Sequence, residues 1–511
     1  MTGGSVSGTA RRAKLPELLA ACDLAPSVPA VETEITGIEY DSRNVTTGSL
    51  FVAVRGFETD GHRYVAEAAR NGAVAALVEE TTGAAPIPEI VVPDTRRGLG
   101  LVAHEFYGRP SERLVTHGIT GTNGKTTTSY LIDSILRRSG LKTGVVGTLG
   151  YRVGEHTVAG DRTSPESLDL ARLLDAMVDD GVEAVTMEIS SHALALSRTT
   201  GVKLDTATFT NLSRDHLDFH VTLEEYGAAK RSLFEALAGE AGKPGSGAII
   251  NVDDPFGRRL IETLDGSPRV EVVTYGRSDC DVFAREVAMS SGGTDLVLGT
   301  PAGDVRTSIR LIGAFNVMNA LAATAVAFSR GIPLDVIGHG LADVRQVPGR
   351  LEVVDVGQDF SIVVDYAHTP DALKQVLATI RELGPNRLIV VFGCGGDRDR
   401  GKRPVMCEVA ISGADVVIVT SDNPRTEDPR SIIDEIVAGR AGGVEIIEDR
   451  RGAIARAVEL AGRGDAVVIA GKGHEDYQVI GREKMHFDDR EEAAAVARLA
   501  VRERHGDHHA G

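Results

Sequence analysis

Glycines, a lysine and hydroxyl residues succeed one another in Gly118-Ile119-Thr120-Gly121-Thr122-Asn123-Gly124-Lys125-Thr126-Thr127, a composition suited to gripping phosphate. Gly121 and Gly124 let backbone N–H groups close around phosphate oxygens, Lys125 brings a cation, and Thr126 offers a hydroxyl to magnesium. Strict Walker spacing would put glycine where Ile119 stands, so the loop is a variant. Glu188 closes the apolar run 182–187, a position expected at the carboxyl tip of a strand, and is a second magnesium ligand by its hard oxygens. A reaction that brings a carboxylate to a triphosphate needs such cations. Each pair of like unit charges ~4 Å apart costs about 1 kcal/mol in water and about 4 near a protein surface.

A second set of polar residues lies near the C-terminus. Arg398 sits in the basic stretch 393–404, Asp422-Asn423-Pro424-Arg425 follows the apolar run 416–420, and Gly471-Lys472-Gly473-His474-Glu475 follows 467–470. A guanidinium clamps a carboxylate with two parallel hydrogen bonds, whereas it repels an ammonium. Arg425 therefore favours a small acceptor that ends in a carboxylate over one that ends in an amine.

The elements that must position these residues alternate between strand and helix almost throughout, so the fold class is α/β with parallel sheets. The phosphate loop lies between the apolar run 114–119 and a helical stretch that lines up Leu131, Ile132, Ile135 and Leu136, with Gly140 at its C′ position. In the last third, apolar runs end at Asp365, Gly393, Ser421 and Gly471, and strand tips of that kind converge on one crevice. The chain of 511 residues, at roughly 150 per domain, is expected to form three domains, 1–111, 112–347 and 348–511.

These motifs together resemble the Mur ligases, ATP-dependent amide-forming enzymes of peptidoglycan synthesis, and most closely their diaminopimelate-adding branch; the resemblance covers nearly the whole chain. It implies a UDP-sugar-binding N-terminal domain, an ATP-binding P-loop central domain and a Rossmann-like amino-acid-binding C-terminal domain. It implies that Glu188, Thr126, His216 (in 211–218) and Lys230 hold magnesium, with Lys230 carried as a carbamate, and that Lys125 is catalytic. For ATP, the resemblance and the hydrogen-bonding capacity of an Asn amide point to Asn316, with Arg350 reaching the phosphates and Asp365 the ribose. For the UDP-linked muramoyl dipeptide the matching positions are Ser42, Phe57, Glu58, Thr59, Thr163, Ser164, Ser190 and Arg198. For diaminopimelate they are Arg398, Asp422, Asn423, Pro424, Arg425, Gly471 and Glu475. Leu196 departs from the family pattern, where many relatives have glutamine. Folylpolyglutamate synthetase shares the phosphate loop but not 422–425 or 471–475, and a P-loop switch would not need the acceptor residues at all. LL- and meso-diaminopimelate both present two carboxylates, so the choice between them stays open.

Composition agrees with a cytoplasmic enzyme, expected to be a monomer. Against 55 Lys plus Arg stand 73 Asp plus Glu, a formal charge of -18, which disfavours nucleic acid or an anionic membrane as partner. Cys22, Cys280, Cys394 and Cys407 are scattered, so neither a zinc site nor a disulfide framework is expected. Residues 1–10 lack the apolar core of a signal peptide, 311–329 is expected to be a buried loop and helix, and the histidines at 505–509 are assigned no role.

Overall fold

The computed structural model describes residues 11–22, 32–57, 59–158, 160, 162–239, 241–290, 292–438 and 442–506, the side chains of the last four of these excepted. Three sheets organise it. The N-terminal sheet has four parallel strands, Gly37–Glu39, Ser49–Val52, Ala73–Val78 and Glu89–Val91. The α/β class expected from the alternating pattern is what is found.

The central sheet has eleven strands, of which seven run parallel in the spatial order Thr143–Gly147, Ala184–Glu188, Val115–Thr120, Leu204–Phe209, Gly242–Asn251, Val270–Gly276, Val282–Ser290. Strand order reverses beside Val115–Thr120, and that strand feeds the phosphate loop and the helix Lys125–Arg138. Ligands in open α/β sheets sit at such reversals, outside the carboxyl ends of the strands. Leu131, Ile135 and Leu136 are buried in one large cluster with the helix Ala314–Ser329, which is apolar on nearly every side and buried along most of its length.

The C-terminal sheet has six strands, with the parallel order Ser361–Asp365, Ala466–Ala470, Leu388–Phe392, Val416–Val419, Glu445–Ile446. The chain moves one way across the sheet from Ser361–Asp365 through Leu388–Phe392 to Glu445–Ile446 and then returns to place Ala466–Ala470 beside Leu388–Phe392, so the loops after these parallel strands form a second crevice. No helix among the described residues is long and apolar enough to cross a membrane.

Candidate active site

The phosphate loop is shaped by close packing against the neighbouring strand's exit. A Cβ at Gly121 would collide with Thr210 Oγ1 and one at Gly124 with Asn319 Oδ1, and Gly124 also needs φ +86° to start the helix. Asn211 pins the loop from outside: its Oδ1 accepts from Asn123 N at 2.9 Å, and its Nδ2 donates to Asn123 O at 3.1 Å. Lys125 Nζ folds onto the loop carbonyls of Gly121 (2.8 Å) and Thr122 (2.9 Å), and burial pulls its pKa down against the raising influence of Glu188 and Asp215.

Glu188 ends its strand beside the loop because its neighbour in register is Ile119. Thr126 Oγ1 donates to Glu188 Oε2 at 2.9 Å, and Thr148 donates to both oxygens, from its backbone N at 2.9 Å and from Oγ1 at 2.9 Å. Thr163 Oγ1 lies 3.1 Å from Thr148 Oγ1, while Ser164 Oγ donates to Glu188 O at 2.8 Å and lies 3.4 Å from Ser190 Oγ. Arg350 enters from beyond the central sheet: its Nη2 donates to Thr126 Oγ1 at 3.2 Å and its guanidinium stacks 4.5 Å from the Tyr366 ring centre. Asp365 holds that segment, accepting from Leu351 N and Ala367 N at 2.7 Å each.

These groups wall a cavity of about 200 Å³, with residues 122–127, Glu188 and His216 on one side and Arg350, Asp365 and His368 on the other. His216 adopts φ +53°, and burial first, with neighbouring cations, lowers its pKa to about 3, which leaves the neutral imidazole that can ligate a metal. Asp215 is buried beside it. Burial alone would raise its carboxyl, but the facing His216, His368 and Lys402 bring it down to about 2. Lys230 is 1% exposed, its Nζ 4.2 Å from the Tyr226 ring centre, and it has no ion pair among the described residues. Burial, then the charge of Lys125, moves its pKa well below the ordinary lysine value.

A larger cavity of about 790 Å³ adjoins the first across Asn123, Gly124 and Asn319, and Met318, Phe315 and Thr379 line it. Asn316 is not part of either wall. It is 2% exposed, its Nδ2 donates to Ile312 O at 2.8 Å and its Oδ1 accepts from Asn319 at 3.0 Å, so both ends of the amide are engaged inside the protein. Asn319, one turn on, is the asparagine that faces the space.

The residues expected to hold the acceptor meet at the C-terminal crevice. Asn423 Nδ2 donates to Glu475 Oε2 at 2.8 Å, Asp422 is 7% exposed beside Gly471, and Arg425, at φ +52°, donates to Gly396 O at 2.8 Å. Pro424 packs its carbonyl against Gly396, and Arg398 is exposed at the rim, donating to Asp397 O at 2.8 Å. Burial and then Asp422 raise the pKa of Glu475.

Outlying positions are less converged. Arg198 is turned to Glu166 (2.9 Å) and Ser164 O (3.3 Å), Ser42 is buried in the short turn Ser42–Asn44, and Thr59 bonds Tyr64 at 3.1 Å. Phe57 is exposed yet approaches the Phe219 ring at 6.0 Å. Glu58 and residues 507–511 lie outside the described residues. Leu196 is the half-buried C-cap of the short helix Ser191–Ala195.

Sequence patterns for three Mur ligase segments match in chain order: "Mur ligase family, catalytic domain" over residues 34–107, "Mur ligase middle domain" over 119–327, and "Mur ligase, glutamate ligase domain" over 349–473. A Geobacillus thermodenitrificans protein named UDP-N-acetylmuramoyl-L-alanyl-D-glutamate--2,6-diaminopimelate ligase is 47% identical over 477 residues, covering 92% of this chain and 96% of its own. The chain belongs to the Mur ligase family. A Bacillus cereus Mur ligase of the same name is 46% identical over 94% of this chain and 97% of its own. A solved structure with that name superposes with a TM-score of 0.69 at 34% identity, covering 96% of this chain and 99% of that one. A Mycobacterium tuberculosis folylpolyglutamate synthase shares the fold at 20% identity and a TM-score of 0.60, but over 74% of this chain.

Of the residues in this Mur ligase site, sequence reasoning misses Thr148 altogether; it prefers Asn316 to Asn319 within 313–319, and gives no role to Tyr366, beside Asp365, or to Lys472, within 471–475, whose signal is a lysine directly after a buried strand.

Proposed function

We propose that this chain is an ATP-dependent ligase that adds diaminopimelate to the D-glutamate of UDP-N-acetylmuramoyl-L-alanyl-D-glutamate. The observation that carries the reading is the joint wall of the 200 Å³ cavity, in which phosphate-loop residues face Arg350 and His368 from the C-terminal third. In this reading a substrate carboxylate oxygen attacks the γ-phosphorus of ATP and ADP leaves. The neutral amine of diaminopimelate then attacks the acyl phosphate carbon, phosphate departs, and the amine proton passes to solvent. Lys125 and Arg350 offset charge as the phosphoryl group moves, so positioning and electrostatics dominate.

Thr126 and Glu188 fit magnesium, because their hard oxygens meet 2.9 Å apart at the cavity. His216 fits as a neutral nitrogen donor, and Lys230 as the amine that would have to lose its proton before forming a carbamate. Bound magnesium would supply positive charge between the phosphate oxygens and the carboxylates. The phosphate loop from Gly121 to Thr127, with Asn319 and Asp365, would hold the nucleotide. Ser42, Phe57, Glu58, Thr59, Thr163, Ser164, Ser190 and Arg198 would serve the UDP-linked dipeptide, and Arg398, residues 422–425, Gly471 and Glu475 the diaminopimelate. The division 1–111, 112–347 and 348–511 follows these roles, and we place the enzyme in the cytoplasm as a monomer.

Mixing protein, ATP, the UDP-linked dipeptide and either LL-diaminopimelate, meso-diaminopimelate or lysine tests the proposal. The expected result is phosphate release with a nucleotide product heavier by one diaminopimelate residue. Phosphate release without a heavier product would refute it.

A further inference from the structure

Lys472 is wholly buried at the base of the acceptor crevice, where the first turn after Ala466–Ala470 faces the end of Val416–Val419. Its Nζ lies 3.0 Å from Asn423 Oδ1, 3.5 Å from Glu475 Oε2 and 3.6 Å from Asp422 Oδ1. Asn423 Oδ1 also accepts from Val479 N at 3.0 Å. With two donors on that oxygen, the amide has one orientation, which turns Nδ2 to Glu475 Oε2 at 2.8 Å. Glu475 Oε2 is thereby taken twice, while Oε1 accepts no hydrogen bond among the described residues.

We propose that Lys472 is a positioning residue for the acceptor: it locks the Asn423 amide and one oxygen of Glu475, leaving the other oxygen as the seat for the acceptor's second, non-attacking amino group, held as an ammonium. Lys472 does not touch the substrate. It also separates two carboxylates, Asp422 and Glu475, that would otherwise repel across a buried space. An unlocked Asn423 could turn its carbonyl toward Glu475, and the carboxylate would lose its fixed direction. The inference rests on the reading of Glu475 as the amine partner.

The test is a double-mutant cycle on the full chain with Lys472→Met, Glu475→Gln and both, read as separate KM values for diaminopimelate, ATP and the UDP-linked dipeptide. Lys472→Met should raise KM for diaminopimelate by about tenfold, the loss of one charge-assisted contact, and leave the other two KM values within about twofold. In the Glu475→Gln background the same substitution should add less than about twofold, because coupled residues are not additive. Equal effects in both backgrounds, or a parallel change in all three KM values, overturn the proposal. If Lys472→Met does not fold, Lys472→Gln, which removes the charge and keeps a donor for Asn423, is read by the same outcomes. An unmodified chain that makes no amide product with any diamino acid would instead defeat the functional reading, before Lys472 is changed.

Discussion

Arg350 Nη2 donates to Thr126 Oγ1 at 3.2 Å, although the two residues lie 224 positions apart. This bond ties the segment leading into the C-terminal sheet to the first helical turn after the phosphate loop. Tyr366 supports the guanidinium from one face and Asp365 holds the adjoining backbone, so the cation is preset rather than recruited. Lysine at 350 would keep the charge but lose the planar fork and the stacking. Arg350→Lys should therefore lower kcat by about 10- to 100-fold, one or two charged hydrogen bonds, with KM for diaminopimelate unchanged. Steady-state kinetics with each substrate varied in turn checks it.

Glu188 accepts from Thr126 and Thr148 on oxygens directed at the same cavity. Glu188→Gln keeps the shape, removes the charge and replaces one acceptor with a donor. A loss of about 10²–10³ in kcat is expected, comparable to deleting a major electrostatic contact in other active sites. Part of the loss should be recovered at raised magnesium concentration, measured by phosphate release. Activity within twofold of the parent would remove Glu188 from the metal set.

Lys230 is buried with no ion pair among the described residues, and burial together with Lys125 outweighs the charge of Asp215 and favours its uncharged amine. The sign follows: with the pKa lowered, more amine is free at neutral pH than for an exposed lysine, and free amine is the form that takes up carbon dioxide. Stripping carbon dioxide and bicarbonate should lower turnover, and restoring bicarbonate should return it. Mass spectrometry under mild conditions should show one added carbon dioxide on the parent and none on Lys230→Ala. Turnover unaffected in Lys230→Ala would refute the carbamate.

Much of this framework is legible in sequence, for physical reasons. Strand ends at Glu188, Asp365 and Ala470 are visible because apolar runs stop there, and the phosphate loop is visible because few sequences other than small residues can fold so tightly. What sequence does not reveal is facing. Asn316 and Asn319 lie on a helix apolar nearly all round, so periodicity gives no face, and burial spends the amide of Asn316 while Asn319 reaches the cleft. Contacts between distant segments arise only in the fold: Arg350 meets Thr126 when two sheets are brought together, and Lys472 meets Asn423 when two strands far apart in the chain enter one sheet.

Glu475 should govern the acid side of diaminopimelate binding. Burial and the neighbouring Asp422 raise its pKa, while Lys472 and Asn423 lower it; Tyr366, Tyr477 and Arg450 also lie within its electrostatic reach. Ionised Glu475 attracts an ammonium and protonated Glu475 does not. KM for diaminopimelate should then rise as pH falls through the raised pKa, approaching tenfold per pH unit below it, while KM for ATP stays flat. Glu475→Gln should raise KM at neutral pH and abolish that slope.

Arg425 should set which acceptor is used. Its backbone stands at φ +52° and its Nη1 is fixed on Gly396 O at 2.8 Å, so the rest of the guanidinium is aimed by the fold and not by the ligand. A carboxylate at the far end of the acceptor gains a charge-assisted bond worth about 2 kcal/mol, roughly 30-fold in affinity, and an ammonium there meets a like charge. Arg425→Ala should cost diaminopimelate about 30-fold or more in kcat/KM and leave lysine no worse, or better, as an acceptor. Arg425→Lys should recover little of the loss, since a single ammonium cannot reproduce the fork. Competition between diaminopimelate and lysine, scored by product mass, measures both effects; an unchanged ratio in Arg425→Ala would assign the discrimination to another residue in the crevice.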